Sequence, residues 1–447
     1  MNTEQDSLNL ITDLVQMAQK AGADSADALY AEGVSLSLIQ RMAKPEHLER
    51  SEGIDIGLRV FVGARQAIVS SSDVSKAALK ELIDRGMAMA RAVPEDPYCG
   101  IATPDLLADT FPDLDECDPV EPTADDLTEK AAAAEDAARG VSGVTNSEGA
   151  EAGWSRTAVA IAASNGFARQ RARSGYSLSV SVLAGEGTAM ERDYDYAMAV
   201  HGEDLPNPES IGRNAGEQAV RRLNPRKAKS AQVPIVYDPR VAGSLLGHLA
   251  GAINGSSVAR ETSFLKDKLG EMIFSSGITV TDDPLRARGL RSKSFDGEGV
   301  ATARRNIIDD GVLTTWILDL RSARQLNLVT TGHASRGTSS PPSPSVTNLH
   351  LEPGTTSPED MISGIDNGLY VTELIGMGVN GVTGDYSRGA SGFWIENGEL
   401  AYPVSEVTIA GNLVDMFAHI EPASDLEFRY GINSPTVRID GMTVAGK

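Results

Sequence analysis

The chain has few cysteines, no long apolar run and no apolar leader. Only Cys99 and Cys117 are present among 447 residues, too few for a disulfide framework in a chain of this size. No apolar stretch approaches the ~18 residues that a membrane helix needs. The first residues, Met-Asn-Thr-Glu-Gln-Asp, are acidic and lack the apolar core of a secretion signal. These absences predict a cytoplasmic protein with free thiols and no membrane contact.

Basic residues are also scarce relative to acidic ones. Lysine and arginine total 40 against 62 aspartates and glutamates, which gives a formal net charge of -22 and a pI near 4.7. Proteins that bind nucleic acid present a basic patch, and this balance opposes one. The hydrophobic share of 41% is enough to bury a large core, so we expect an ordinary globular protein of two or three domains and no nucleic-acid partner.

Apolar periodicity in the first part of the chain predicts helices packed on a sheet. Alternation around residues 36–39 indicates a strand, and residues 53–70 read as two strands joined near Gly63. Asp73 is positioned to cap a following helix. Two helical faces are predicted, one ending at Gly22 and one after residue 73; they comprise Leu8, Ile11, Leu14, Val15, Ala18 and Ala21, and then Leu79, Leu82, Ile83 and Met87.

Composition changes in the middle of the chain suggest where its parts are joined. Residues 94–138 hold six prolines and fourteen acidic residues against a single lysine, so a surface connection over about 94–122 should lead into a helix at about 124–139. Strand-like alternation follows from 141 to 201, and a helix is expected near 208–223. The basic segment after that helix predicts a boundary between an N-terminal domain, 1–228, and a C-terminal domain, 229–447.

The C-terminal part is predicted to be rich in β-strands. Asp310-Gly311 between apolar runs is a hairpin signature, and residues 331–346, rich in Ser, Pro and Gly, predict a loop. Ser357 and Pro358 are placed as the N-cap and first residue of a helix that includes Met361, Ile362, Ile365 and Leu369. Together these patterns predict an α+β fold: an N-terminal antiparallel sheet with packed helices, then a β-rich domain with antiparallel strands and a few helices.

The stretch from 241 to 270 contains the most informative histidine. Leu245, Leu249 and neighbouring apolar residues recur at helical spacing, which predicts a short helix buried on one side. At about 100° per residue, Gly243 and His248 lie roughly 140° apart on that helix, a poor geometry for a metal pair. His248 is therefore interpreted first as a core or interface histidine hydrogen-bonded to backbone, and second as a residue that contacts substrate or partner.

Two glycine-rich motifs and three scattered histidines are further candidates for chemistry. Residues 376–381 satisfy G-x-G-x-x-G, but Val-Thr-Gly-Asp-Tyr-Ser after them does not open a helix, so a glycine-rich turn is predicted rather than a nucleotide site. Ser387 lies in G-x-x-S-x-G, which lacks the spacing of a hydrolase nucleophile elbow. His333, His350 and His419 lie beside turns or strands, where each is compatible with a surface position.

The densest family signal lies near the C-terminus. Residues 384–398, GDYSRGASGFWIENG, and 402–413, YPVSEVTIAGNL, resemble the PmbA/TldE branch of the TldD/PmbA family when taken with Gly247-His248-Leu249. The protease branch of that family carries His-Glu-x-x-x-His where this chain has Gly243-Ser244-Leu-Leu-Gly247-His248. That branch also completes its zinc site with a cysteine near the C-terminus, where this chain has Tyr-Gly-Ile-Asn-Ser-Pro at 430–435. The resemblance therefore implies a degenerate motif without a metal site.

The resemblance also implies a partner. It suggests a cytosolic, non-catalytic subunit of a heteromeric zinc protease, in which a TldD-like chain holds the zinc and unfolded peptides are trimmed or degraded. Two alternatives stay open: a self-sufficient metallopeptidase that recruits metal through His248 as a homodimer, and a regulatory binding protein with no proteolytic role. The family's older name, modulator of DNA gyrase, has no support in so acidic a sequence.

Four residues of the family-like segment are candidates for peptide binding. One hypothesis is that Asp385, Tyr386, Ser387 and Arg388 line an internal surface near the partner's zinc, where backbone amides and Arg388 hold an extended peptide by strand addition and charge pairing. The alternative is a tightly turned connection in which Arg388 pairs with Asp385.

Overall fold

The computed structural model describes residues 4–446. The first part of the chain forms one antiparallel sheet and four helices. Its elements, in chain order, are α1 (Glu4–Lys20), β1 (Ser25–Arg41), β2 (Lys44–Val62), β3 (Arg65–Ser71), α2 (Lys76–Ala92), α3 (Ala124–Arg139), β4 (Val144–Ala163), β5 (Ala168–Ala184), β6 (Glu191–Ala199) and α4 (Pro208–Arg221).

The second part consists mainly of strands. Its elements are β7 (Ala231–Tyr237), α5 (Pro239–Ala252), α6 (Gly255–Ala259), β8 (Val280–Asp282), β9 (Arg305–Asp309), β10 (Val312–Leu313), α7 (Leu320–Gln325), β11 (Ala334–Ser335), β12 (Ser343–Pro344), β13 (Leu349–Leu351), α8 (Pro358–Ser363), β14 (Asn367–Val379), β15 (Asp385–Glu396), β16 (Glu399–Asn412), α9 (Leu413–Ala418), β17 (Ile420–Pro422), β18 (Ile432–Asn433) and β19 (Val437–Ala445).

The N-terminal sheet has the strand order β3-β2-β1-β4-β5-β6. Its two faces pack against different parts of the protein. Successive side chains of a strand point to opposite faces. On β1, Tyr30 shares a core with helices α1 and α2, while Leu36 and Leu38 share one with α3 and α4, so one face is covered by helices. Leu29, on the other face, packs with Phe295 of the second part. The sheet therefore separates a helical layer from the β-rich half.

The β-rich half contains a closed sheet next to a smaller open one. The strands run in the order β16-β15-β14-β7-β19-β17, and β16 also pairs with β19, which closes five of them into a barrel. A second sheet has the order β10-β9-β8-β13-β18. Leu245 and Leu249 of α5 belong to the same apolar core as the barrel strands. The helix that carries His248 is therefore fixed by the main core of this half.

The predicted α+β class is confirmed, and three local predictions needed correction. Ser75, not Asp73, is the N-cap of α2, because Asp73 accepts a hydrogen bond from the Ser75 amide in a turn before the helix. Helix α8 has the predicted Ser357 cap but ends at Ser363, since the chain enters β14 soon after. The loop at 331–346 includes the two-residue strands β11 and β12. None of the helices within residues 4–446 combines the length and apolarity of a membrane-spanning helix.

Two buried ionic clusters join the N-terminal sheet to the β-rich half. In the first cluster, Asp27 binds Arg59, with Asp27 Oδ2 2.9 Å from Arg59 Nε, and also binds Arg336. Glu298 lies 3.7 Å from Arg59. In the second, Asp193 of β6 accepts hydrogen bonds from two arginines; these are Arg222 at 3.3 Å and Arg240 at 2.8 Å. Buried charges need such partners because each loses its hydration.

Glu298 makes the stability of the fold depend on pH. Burial raises its pKa to about 8, although Arg59 acts to lower it. The unfolded chain ionises this carboxyl near its ordinary value of 4.5, so its contribution to stability is complete below that pH and is lost as the pH rises to about 8. We expect the free energy of unfolding to fall between pH 5 and 8, and Glu298→Gln to make that fall shallower.

Denaturant unfolding at a series of pH values checks this expectation, with the exposed Glu209→Gln as the matched control. Each unit of pKa shift corresponds to about 1.4 kcal/mol. Identical slopes for the wild type and Glu298→Gln would mean that this carboxyl is already ionised in the folded protein.

Candidate functional site

Helix α5 begins with a strong cap and directs its first turns at a cavity. The side chain of Asp238 accepts from the Arg240 amide, and Pro239 occupies the first turn, where a missing N–H costs nothing. Gly243 and Ser244 follow and line a cavity of about 750 Å³ together with residues 430–432. The two segments that depart from the zinc-binding pattern of the family are therefore adjacent in space.

The opposite wall of this cavity is the second face of the N-terminal sheet. Bulky apolar residues on β1, β4 and β5 point toward the helices, and in the middle of the cavity wall the residues between them are small. Cross-strand rows place Ser35 beside Ser155, and Ser155 beside Gly175; the next row is Ser37, Gly153 and Ser177. These side chains do not reach the α5 wall, which leaves open space between the halves. The cavity is thus a consequence of small residues at alternate positions.

Residues 243 and 244 offer no ligands for zinc. The Ser244 hydroxyl donates to the Val241 carbonyl at 2.6 Å within its own helix, and Gly243 has no side chain. A Cβ atom at position 243 would lie 3.2 Å from the Ile432 carbonyl oxygen. Zinc needs about three protein ligands at tetrahedral positions. Among residues 4–446, no group of three His, Cys, Asp or Glu side chains is arranged to hold a metal ion, so the residues present do not fit a zinc site.

His248 lies one turn beyond Ser244 and against a tyrosine. Its ring meets that of Tyr386 edge-on at a centroid distance of 5.9 Å. Its Nε2 is buried and has no hydrogen-bond partner in the described chain, so the predicted hydrogen bond to backbone is not made by this nitrogen. Burial lowers the pKa of His248, and the Arg388 charge lowers it further. The imidazole is therefore neutral near pH 7 and keeps an unused polar atom.

The structure divides the four peptide-binding candidates between two sides of β15. Tyr386 is buried beside His248, and the Arg388 charge acts on both of these residues. Asp385 and Ser387 are exposed on the other side. Asp385 accepts from the Thr383 hydroxyl at 2.6 Å. The alternation of a strand thus puts only half of the predicted group next to the degenerate motif.

The proposed pairing of Arg388 with Asp385 is not formed. Arg388 Nε donates instead to the Ile375 carbonyl of β14 at 3.4 Å. The reason is register: residues three apart on a strand lie on opposite faces. Arg388 therefore keeps a positive charge that no carboxylate neutralises within residues 4–446.

Of the three further histidines singled out in the sequence, His333 and His350 are buried and His419 is exposed. His333 is buried and lies 3.0 Å from the Asp282 carboxylate, and His350 is buried 3.3 Å from Glu352, so the surface position considered for both is wrong. His419 is exposed. The glycine-rich motif at 376–381 runs from β14 into a turn with no helix after it, as predicted. The glycine-rich motif therefore offers no helix N-terminus to a phosphate group.

The sequence patterns did not identify the charged and aromatic residues that line the cavity. Arg173 and Glu151 face it from the sheet, Arg291 from a loop, and Tyr196 and Tyr430 from the side nearest β6. The two tyrosine rings lie 5.0 Å apart. The available signal was the run of Ser and Gly at alternate strand positions, which marks a sheet face that no bulky side chain covers.

Comparisons with known proteins agree with this architecture. Family models described as the PmbA/TldA metallopeptidase domain 1, central domain and C-terminal domain match residues 26–90, 117–223 and 230–446. The metalloprotease PmbA of Escherichia coli O157:H7 is 39% identical over 427 residues, covering 95% of this chain and 93% of that protein.

Solved structures agree as well. A Bacteroides thetaiotaomicron protein named as a modulator of DNA gyrase superposes with a TM-score of 0.92 at 29% identity, covering 100% of both chains. TldE from Thermococcus kodakarensis shares the fold, with a TM-score of 0.87 at 21% identity and coverage of 98% and 100%. The fold is thus that of the PmbA/TldA metallopeptidase domains. The chain belongs to the PmbA/TldD family, as its C-terminal motifs suggested.

Proposed function

We propose that this chain is the non-catalytic, substrate-guiding subunit of a heteromeric TldD-type zinc metalloprotease that processes unfolded peptides in the cytoplasm. One observation carries the proposal: Gly243 and Ser244 line a large cavity but supply no zinc ligand. Hydrolysis by such a protease requires a metal-bound water, with its pKa lowered to about 7. The hydrolytic centre is therefore assigned to a partner chain with the intact His-Glu-x-x-x-His motif.

The charge near His248 supports a role in holding substrate. Arg388 has no carboxylate partner within residues 4–446 and lies beside an unpaired imidazole and the buried Tyr386. A guanidinium group binds carboxylates through two parallel hydrogen bonds. We propose that Arg388 is the residue of the four candidates that holds the peptide in the assembly.

A reconstitution assay tests the proposal. The purified chain, a purified chain carrying His-Glu-x-x-x-His, and their mixture are each given an unfolded peptide, and cleavage is followed by mass spectrometry. Cleavage in the mixture alone, or a strong increase over the partner by itself, is expected. Cleavage by this chain alone would favour a self-sufficient homodimeric peptidase. A mixture no more active than its parts, with no complex formed, would favour a regulatory binding protein.

Arg388→Ala should weaken peptide cleavage by the mixture. Losing one charge-assisted hydrogen bond corresponds to roughly tenfold in kcat/KM, carried mainly by KM because the group binds substrate without touching the bond that breaks. Arg304→Ala is the matched control, since Arg304 is an exposed arginine outside this cluster. Unchanged cleavage by Arg388→Ala would reduce Arg388 to a structural residue of β15.

A further inference from the structure

The cavity between the two halves carries opposite charges without partners. The guanidinium groups of Arg173 and Arg291 line it, and neither forms an ion pair or a side-chain hydrogen bond within residues 4–446. The carboxylate of Glu151, which also lines it, is equally unpaired in that range. In a chain with a net charge of -22, two adjacent unneutralised arginines form a local exception.

The surroundings keep Arg173 positively charged but poorly compensated. Burial lowers its pKa, and the charges of Arg171 and Arg291 lower it further. Glu116 attracts Arg173, but this carboxylate is already bound to Arg171 at 3.4 Å. A guanidinium group stays protonated near pH 7 even with a lowered pKa. An anionic ligand would supply the missing counter-charge.

Arg173 and Glu151 lie at opposite ends of the part of the β4–β5 pair that lines the cavity. In the register of β4 with β5, Thr157 is opposite Arg173, and Glu151 is opposite Ser179. Glu151 and Thr157 are six positions apart on β4, which corresponds to roughly 20 Å at 3.3 Å per residue. An extended peptide of about six residues has the same length. Tyr196 also pairs with Ser179, so the tyrosine pair stands at the Glu151 end.

We propose that this cavity binds one end of an unfolded peptide in an extended conformation, with the C-terminal carboxylate at Arg173 and Arg291 and the N-terminal side toward Glu151. The inference rests on the proposed function and specifies its substrate as a chain end. The walls offer Ser and Thr hydroxyls and glycine backbone rather than shaped side-chain pockets. Such walls bond to peptide backbone of any sequence, as a protein that handles unfolded peptides requires.

A carboxylate can come from a chain terminus or from an acidic side chain, so three probes are needed. The first is a hexapeptide of Ala, Ser and Gly with both termini free. The second is the same peptide with a C-terminal amide, and the third is the amide with aspartate as its last residue. Isothermal titration calorimetry with the purified full-length chain measures each Kd. We expect the first to bind best and the amide to lose roughly tenfold or more.

Recovery of full affinity by the aspartate-containing amide would overturn the assignment to a terminus, since it would assign the arginines to side-chain carboxylates. Equal binding of the free acid and the plain amide, or no binding of any probe, would overturn the proposal as a whole.

Variants locate the contact. Arg173→Gln and Arg291→Gln are each expected to weaken the binding of the free-acid peptide by roughly tenfold or more and to leave the Kd of the amide unchanged. Arg304→Gln serves as the control for loss of a surface arginine. If Arg173→Gln does not fold, the exposed Arg291 decides the question on its own. Unchanged selectivity for the free acid in a folded Arg291→Gln variant would contradict the proposed contact.

A second variant tests the direction of the peptide. Glu151→Gln is expected to weaken the binding of the peptide with a free amine more than the binding of its N-acetylated form. Equal weakening would contradict the proposed orientation. The two proposals can fail separately. Cleavage in the reconstituted mixture, without carboxylate-dependent binding to the isolated chain, would contradict only the inference about the cavity. Carboxylate-dependent binding to the isolated chain, without cleavage in the mixture, would contradict only the proposed function.

Discussion

Asp27→Ala is expected to lower the free energy of unfolding by about 3–5 kcal/mol, because the substitution leaves two buried arginines without their counter-charge. Asp27 is buried between Arg59 and Arg336. Burial alone would raise its pKa, but the two guanidinium groups outweigh that effect and hold the pKa below its ordinary value. Urea unfolding followed by circular dichroism at pH 7 measures the loss.

The control for Asp27 is a salt bridge of the same type at the surface. Asp440 binds Arg438 at 2.8 Å, and its side chain is half exposed, so Asp440→Ala should cost less than about 1 kcal/mol. Equal effects of the two substitutions would contradict the claim that burial makes the Asp27 cluster critical. Because Arg336 lies in the β-rich half, the Asp27 variant is also expected to loosen the contact between the two halves.

Asp193→Ala is expected to have an effect of similar size, about 3–5 kcal/mol. Asp193 is 1% exposed and accepts hydrogen bonds from Arg222 and from Arg240. Arg240 lies in the first turn of α5, so this carboxylate ties β6 to the helix that carries the degenerate motif. Unfolding in guanidinium chloride, measured for the variant and the wild type, gives the difference.

A double-mutant cycle separates the ion pair from general damage to the fold. Asp193→Ala, Arg240→Ala and the double variant should show a coupling of at least about 1 kcal/mol, since residues in one hydrogen-bonded network do not act additively. Asp136→Ala, which removes an exposed partner of Arg139 at 3.8 Å, is expected to stay within about 0.5 kcal/mol of wild type. Additive effects at positions 193 and 240 would argue against the network.

The fold was predictable where the signal is local. Alternation from 141 to 201 gave the long strands β4 and β5, and the Ser357 cap with Pro358 gave the start of α8. Both signals depend on neighbours in the chain. The end of α8 was not predictable because the switch to β14 depends on pairing with β7, which lies far away in sequence.

The ionic clusters and the cavity could not be predicted for the same reason. Asp193 lies in a polar stretch of β6, and the local sequence does not identify its partners. Its partners are Arg222 and Arg240, which approach from beyond the strand. Arg173 and Arg291 meet at the cavity from different halves of the protein. Which charges end up buried together is decided by tertiary packing, and single-sequence periodicity does not contain that information.

The degenerate motif, unlike the ionic clusters, was predictable from the sequence. The absence of ligands at Gly243 and Ser244 was visible in the sequence, and the structure adds which residues lie beside them in the cavity wall. Tyr430 and Gly431 line the same wall, and a Cβ atom at Gly431 would lie 2.2 Å from Arg291 Nε. The position therefore requires glycine as long as Arg291 occupies this place.

Metal analysis of the purified chain tests most directly whether its hydrolytic power resides in another molecule. The chain is incubated with excess Zn²⁺, freed of loosely bound metal by gel filtration and measured by inductively coupled plasma mass spectrometry, with peptidase activity assayed on the same sample. The expected result is far less than one zinc per chain and no cleavage of an unfolded peptide. One tightly bound zinc per chain, together with peptidase activity that a chelator abolishes, would contradict the account.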